Sequence, residues 1–170
     1  MPLHQRNKHK GKYDFPELIR IHLGLKPFVT PNKFGNDSID FSNQEAVKAL
    51  NQALIKSYYQ IDSWDIPEEY LIPPIPGRGD YIHHLADLLG EPIGCKTKIL
   101  DIGTGSSLIY PIIGNRDYGW SFIASEIDPT SLENAQTIID ENKKLKHIEL
   151  RFQKNSRDIF LSVIKSNEYV

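Results

Sequence analysis

The run Lys98-Ile99-Leu100-Asp101-Ile102 passes straight into Gly103-Thr104-Gly105-Ser106-Ser107, and no other stretch constrains the fold as strongly. A short apolar run of Ile and Leu reads as a buried strand. Two glycines directly after it let the backbone turn sharply and let a ligand approach without a Cβ in the way. Strand, acidic residue and G-x-G loop together predict the first strand and binding loop of a Rossmann-like α/β half-sheet.

A second acidic residue narrows the ligand. Trp120 to Glu126 is another strand-like run, and Glu126 falls about twenty residues beyond the glycines, where a carboxylate that accepts from ribose hydroxyls is expected. A dinucleotide fingerprint would place a third small residue at position 108, where this chain has Leu108. A carboxylate just ahead of the glycines, Asp101, also sits poorly beside a pyrophosphate. It suits the amino end and sulfonium of S-adenosylmethionine. A nicotinamide-dependent dehydrogenase is the weaker alternative, and failure to bind NAD or NADP would close it.

With 170 residues the chain is long enough for one domain with an N-terminal extension. Residues 1–95 are read as that extension, a basic arm followed by short helices, and residues 96–170 as the first part of the Rossmann-like domain. One cysteine, Cys95, excludes an internal disulfide and fits a reducing, cytoplasmic setting. No apolar run is long enough to span a bilayer, and the start carries no signal-peptide pattern. The net charge of −2 hides an asymmetry: Arg6, Lys8, Lys10 and Lys12 give the first twelve residues +4, which leaves the remainder at −6. Such an arm is either a contact for the phosphates of RNA or a solvated, frayed terminus.

Along the chain, Asp14 to Leu25 predicts a short helix and Pro27 to Phe41 a loop with extended pieces. Ser42-Asn43-Gln44-Glu45 is a capping-box pattern for a helix that places Val47, Leu50, Leu54 and Tyr58 on one face. The prolines between Ser63 and Gly79 predict loop, with Asp80 capping a helix that turns Ile82, Leu85, Leu88 and Leu89 inward. His83 and His84 are adjacent on that helix, so they point apart and form no metal pair. Leu108 to Ile113 predicts a short helix interrupted by Pro111. Asp128-Pro129 opens a helix with Leu132, Ala135, Gln136 and Ile139 at helical spacing. His147 to Phe152 predicts a third strand, Arg157 to Lys165 a third helix, and Tyr169-Val170 the start of another strand.

Taken together these residues resemble the bacterial large-subunit ribosomal RNA adenine-N6 methyltransferases of the RlmF type and their eukaryotic relatives that methylate small nuclear RNA. The resemblance covers essentially the whole chain. It rests on His4-Gln5-Arg6-Asn7, Asp40-Phe41-Ser42-Asn43, Trp64-Asp65-Ile66-Pro67, Asp101-Ile102-Gly103-Thr104-Gly105, Ile109-Tyr110-Pro111 and Tyr118-Gly119-Trp120. Most specific is the block from Pro74-Ile75-Pro76-Gly77-Arg78 through Tyr81-Ile82-His83-His84. The family implies a Rossmann-like class I methyltransferase fold, S-adenosylmethionine as cofactor and ribosomal RNA as partner. It also implies site residues: Arg78 on the cofactor's carboxylate, Gly103, Gly105 and Ser107 around its methionine part beside Asp101, Glu126 on the ribose, and Asn155 near the adenine. The arm is tied to RNA in the family, which assigns Arg6, Asn7, Lys8, Lys10 and Lys12 to RNA contact. No metal ligand set is expected.

One departure bears on activity. The family carries Asn-Pro-Pro-Phe on a later strand, and this sequence has none: its only Pro-Pro, Pro73-Pro74, lies between Ile72 and Ile75. In the family the Asn side chain and a Pro carbonyl accept from the adenine amine, while the aromatic ring stacks on a flipped-out base. The chain therefore reads as the front part of such an enzyme, with three strands, no catalytic residue and no activity alone. The first strand would then keep an open edge prone to self-association. The alternative is a non-catalytic RNA-binding module with a residual cofactor pocket.

Overall fold

The computed structural model describes residues 2–168, so the strand expected at Tyr169-Val170 lies outside the described residues. Three parallel strands carry the molecule: β3 (Lys98–Ile102), β4 (Ser121–Glu126) and β5 (Ile148–Phe152), in that order across the sheet. Ile102 pairs with Ser125, and Glu126 with Phe152, so the three carboxyl ends lie side by side. Parallel neighbours need crossover connections, and these are α4 (Ile109–Tyr118) and α5 (Pro129–Glu141). β4 is central and almost wholly buried, whereas β3 is only half-buried because its outer edge has no strand beside it among the described residues.

Ahead of the sheet come α1 (Phe15–Ile21), a 3-10 turn (Leu23–Phe28), a short hairpin of β1 (Thr30–Pro31) and β2 (Asp37–Ser38), then α2 (Gln44–Tyr59) and α3 (Ile75–Leu88). One core joins α1, the hairpin and one side of α2 through Phe15, Leu18, Leu25, Ile39, Leu50 and Leu54. A larger core joins Ile55, Tyr59, Ile75 and Ile82 to Leu108, Ile112, Trp120, Phe122 and Ile138. This second core crosses the expected boundary at 95/96, so the extension and the sheet bury their apolar surface together.

Several local expectations change. Asn43, not Ser42, caps α2: its side chain accepts from the Glu45 and Ala46 amides, one residue past the capping-box register. α3 begins at Ile75 rather than at Asp80, because Pro76 falls in the first turn, where its missing N–H costs nothing. Leu88 and Leu89 at its far end are exposed rather than inward, and so is Tyr81. Tyr81 and Leu89 line a groove of about 680 Å³ beside the open edge of β3. α4 runs to Tyr118, since Pro111 also lies within a first turn. On α5 the inward positions are Ser131, Ala135 and Ile138, while Gln136 faces out. Residues 157–165 form turns, not a helix: Val163 is buried, but Ile159, Phe160 and Leu161 find no surface to cover. No helix among the described residues is long and apolar enough to cross a membrane.

Candidate functional site

The carboxyl ends of parallel strands are where an open α/β sheet holds ligands, and the acidic and glycine positions meet there. Gly103 and Gly105 both adopt positive φ, +74° and +66°, and a Cβ at either would meet nothing within 4 Å. The Gly103 and Thr104 amides donate to Ser125 O at 2.9 and 3.0 Å, which ties the loop to the end of β4. Glu126 then accepts from three amides: Gly105 N at 2.8 Å on Oε2, with Ile127 N at 2.8 Å and Asp128 N at 3.0 Å on Oε1. Glu126 is buried and acts as the buckle between the two loops. A carboxylate offers about four acceptor sites, so a single one, on Oε2, is left for an incoming hydroxyl. Taking both hydroxyls of a ribose requires Glu126 to share or release Gly105.

Asp101 has the opposite condition. Its Oδ2 is buried without a hydrogen-bond partner among the described residues. Burial pushes its carboxyl above the usual range, and the charge of Glu126 adds to that. Two carboxylates thus face one open loop, and neither is ion-paired within the described residues. A group carrying positive charge and donors would satisfy them; a phosphate would not. Ser125 Oγ and Thr104 Oγ1 are likewise buried and unpartnered beside the loop.

Exposed apolar residues mark the same rim. Ile102, Ile127 and Phe152, one at each strand end, are 40%, 44% and 43% exposed. Sequence reasoning missed these as site residues, although Ile127 directly follows the acidic residue that it did find.

The loops are also held from behind. Trp64 Nε1 donates to Ser107 O at 2.8 Å, and Asn134 Nδ2 donates to Ser106 O at 2.8 Å and to Asp65 O at 2.9 Å. Tyr70 donates its hydroxyl to Asp128 Oδ2 at 2.5 Å and so holds that carboxyl below its ordinary range, helped by Ser131. The Trp64-Asp65-Ile66-Pro67 block therefore braces the loops from behind. Nothing in its own sequence could say so, because the bonds that do it are long-range: Ser107 is 43 positions from Trp64, and Asn134 is 69 from Asp65.

The remaining expected residues are dispersed. Ser107 is buried in the loop, and Leu108 is wholly inside the core, in the left-handed region at the start of α4. Arg78 stands on the first turn of α3. Its guanidinium donates to Tyr110 Oη at 2.7 Å and lies 5.3 Å from that ring, without a carboxylate partner among the described residues. Asn155 follows β5 at the same end of the sheet, but its side chain pairs with Asp158 and with the Arg157 amide.

The arm is not frayed. Arg6 pairs with Asp87 and Glu91, reaches His83 O and donates to Tyr118 Oη. Asn7 is buried, and Lys8 pairs with Asp117. Of the five residues expected to touch RNA, Lys10 and Lys12 keep exposed side chains without a carboxylate partner among the described residues. His83 is buried against Tyr118 and His84 is exposed, as their adjacency required. His4, His84 and Asp87 do bring three ligand-type atoms within 4.8 Å, but Asp87 is occupied by His4 and Arg6.

A family model described as RNA methyltransferase matches residues 1–170. The "Ribosomal RNA large subunit methyltransferase F" of Bacteroides fragilis is 52% identical over 181 residues, covering 98% of this chain and 59% of that protein. Its namesake in Pectobacterium carotovorum is 51% identical over 171 residues, covering 98% and 55%. The chain thus spans somewhat more than half the length of these relatives. Among solved structures it superposes on the N-terminal domain of human METTL16 in complex with SAH. The TM-score is 0.88 at 32% identity, covering 99% of this chain and 66% of the other. The hMettl16 catalytic domain in complex with MAT2A 3'UTR hairpin 6 gives 0.81 at 34% identity, covering 91% and 55%.

Proposed function

Because the chain belongs to the RNA methyltransferase family, in its RlmF-type branch and with the class I methyltransferase fold, we propose that it holds S-adenosylmethionine at the carboxyl end of its sheet for methylation of adenine N6 in large-subunit ribosomal RNA. The observation that carries this reading is the buried, unpartnered oxygen of Asp101 beside Glu126 and an open glycine loop. When bound, the cofactor supplies an electrophilic methyl group on a positively charged sulfur.

The chain's own residues do the holding. Asp101 accepts from the cofactor's amino group and offsets its charge. Gly103 and Gly105 let the methionine part lie against the backbone, with Ser107 closing the loop. Glu126 takes a ribose hydroxyl on its free acceptor site, and Ile127 and Phe152 give the adenine an apolar rest. Arg78, planar and free of carboxylates, suits the cofactor's carboxylate. Asn155 lies near enough in sequence to Gln153, which bonds Glu126 O at 2.8 Å, to close over the adenine once it leaves Asp158. RNA is met by the basic arm, with Lys10 and Lys12 foremost. Without Asn-Pro-Pro-Phe nothing in this sequence orients an adenine amine, so the chain binds cofactor but does not turn it over alone. Self-association at the open edge of β3 is part of the same reading, and sedimentation equilibrium across a concentration series checks it.

Calorimetric titration with S-adenosylhomocysteine tests the cofactor site. Glu126→Ala loses a charged acceptor, an effect of roughly 1.5–3 kcal/mol, or about ten- to a hundredfold in affinity. Saturable binding weakened to that degree supports a formed cofactor site, and equal affinity in the variant contradicts it. Absence of cofactor binding with retained RNA binding would instead favour the non-catalytic RNA-binding module, the reading that the missing Asn-Pro-Pro-Phe recommends.

A further inference from the structure

The N-terminal arm was expected to meet RNA, yet its buried Asn7 faces inward onto one turn of α3. Asn7 is 2% exposed. Its Nδ2 donates to Pro76 O at 2.8 Å and to Asp80 Oδ1 at 3.0 Å, and its Oδ1 accepts from His9 N at 2.9 Å. Asp80 Oδ1 also accepts from His4 N at 2.6 Å. Burial opposes ionisation of Asp80, but the His4 amide and Asn7 outweigh it and hold the carboxyl below its ordinary range. Pro76 and Asp80 are the residues two before and two after Arg78.

That turn needs outside help. It contains Pro76, Gly77 and Gly79, and Pro74 before it provides no side-chain cap. A glycine inside a helix is less favourable than an alanine, and an uncapped N-terminus leaves amides without partners. The arm lies directly against this turn: a Cβ at Gly79 would stand in van der Waals contact with Asn7 Nδ2 and Tyr59 Oη, each at 3.5 Å.

The far end of α3 is clamped as well. The Arg6 amide donates to His4 Nδ1 at 3.1 Å, which leaves the His4 proton on Nε2, where it meets Asp87 Oδ2 at 2.9 Å. The Arg6 guanidinium spans Asp87, Glu91 and Tyr118. His4, Arg6 and Asn7 therefore grip α3 along its length, from the turn that carries Arg78 to its last turn.

We propose that Asn7, with Arg6, is a positioning residue of the cofactor site: it seats the first turn of α3 so that Arg78 reaches the cofactor's carboxylate. This rests on the reading of Arg78 given above. It divides the arm by face, the inward residues serving the cofactor and the outward Lys10 and Lys12 serving RNA.

The test compares two ligands by calorimetry on the full chain. S-adenosylhomocysteine carries the carboxylate, and 5′-methylthioadenosine lacks the amino-acid end. Arg78→Ala should weaken the first about ten- to a hundredfold and leave the second unchanged. Asn7→Ala should repeat that selectivity at several-fold, and the double variant should be no worse than Arg78→Ala alone. Arg6→Gln, a change at a partly exposed residue, should show the same selectivity if Asn7→Ala does not fold. Lys10→Ala with Lys12→Ala should leave both affinities intact. Equal losses for both ligands in the arm variants, or losses additive with Arg78→Ala, overturn the positioning role while Arg78 keeps its own. An Arg78→Ala variant that binds both ligands normally would sink the underlying assignment and the inference with it.

Discussion

Two neighbouring carboxyl groups at the end of the sheet are held in unlike electrostatic states. Glu126 has three backbone donors, whereas the neighbouring Asp101 has a buried oxygen with none. An unpaired buried carboxylate destabilises the empty protein. Asp101→Asn should therefore raise the melting temperature of the free chain while weakening S-adenosylhomocysteine. The pH dependence has a definite sign. Burial raises the folded-state value of Asp101, so its neutral form is the stable one and stability falls as pH rises past the ordinary carboxylate range. The advantage of the Asn variant should vanish below that range and be full at neutral pH, as thermal melts from acid to neutral would show. A lower melting temperature for the variant at neutral pH would mean that Asp101 already has a partner. That Asp101, Gly103, Gly105 and Glu126 meet at the carboxyl end of the sheet was legible in the sequence, because a strand and a tight turn each demand a particular residue type at a fixed spacing. Trp64, Tyr70 and Asn134 were not, since each acts through one or two bonds to distant backbone or carboxylate oxygens.

Elements with a strong local signal formed where the sequence placed them, and those that depend on neighbours shifted. β3, β4 and β5 and the Asp128 cap of α5 fall within a residue of expectation. α3 and α4 begin or run on through prolines because a first turn tolerates them, a distinction that proline content alone does not make. The 157–165 segment has helical spacing but no surface to pack on, and spacing without burial does not hold a short helix. Packing between elements is tightest where α4 crosses β4. A Cβ on Gly114 would come within 2.5 Å of Phe122 Cζ and 3.2 Å of Trp120 Cε3. Gly114→Ala gains about 1 kcal/mol of helix propensity. Overpacking against two fully enclosed rings costs about 1–3 kcal/mol, so the net should be destabilising. A urea midpoint lowered in the variant is the expected result, and a raised midpoint would show that α4 can move off the sheet.

At the scale of the molecule, the arm and helices ahead of the sheet are not an appendage to it. Residues of α2, α3 and the loop between them share a core with α4, β4 and α5, Arg6 and Asn7 tie the arm to α3, and Trp64 and Tyr70 hold Ser107 and Asp128. The fold class was readable from one strand–loop junction. The interlocking was not, because it consists of contacts between residues far apart in the chain, such as Arg6 with Asp87, 81 positions apart, and Asn134 with Asp65, 69 apart. On the reading proposed above, the carboxyl end of the sheet receives a cationic, ribose-bearing cofactor, while an apolar groove lies open beside β3. Amide chemical-shift mapping during titration with S-adenosylhomocysteine tests that claim most directly. The amides that Glu126 and Ser125 now hold, those of Gly103, Thr104, Gly105, Ile127 and Asp128, should shift first and furthest. Shifts centred instead on Tyr81, Leu85, Leu89 and Ile99 in the β3 groove would contradict it.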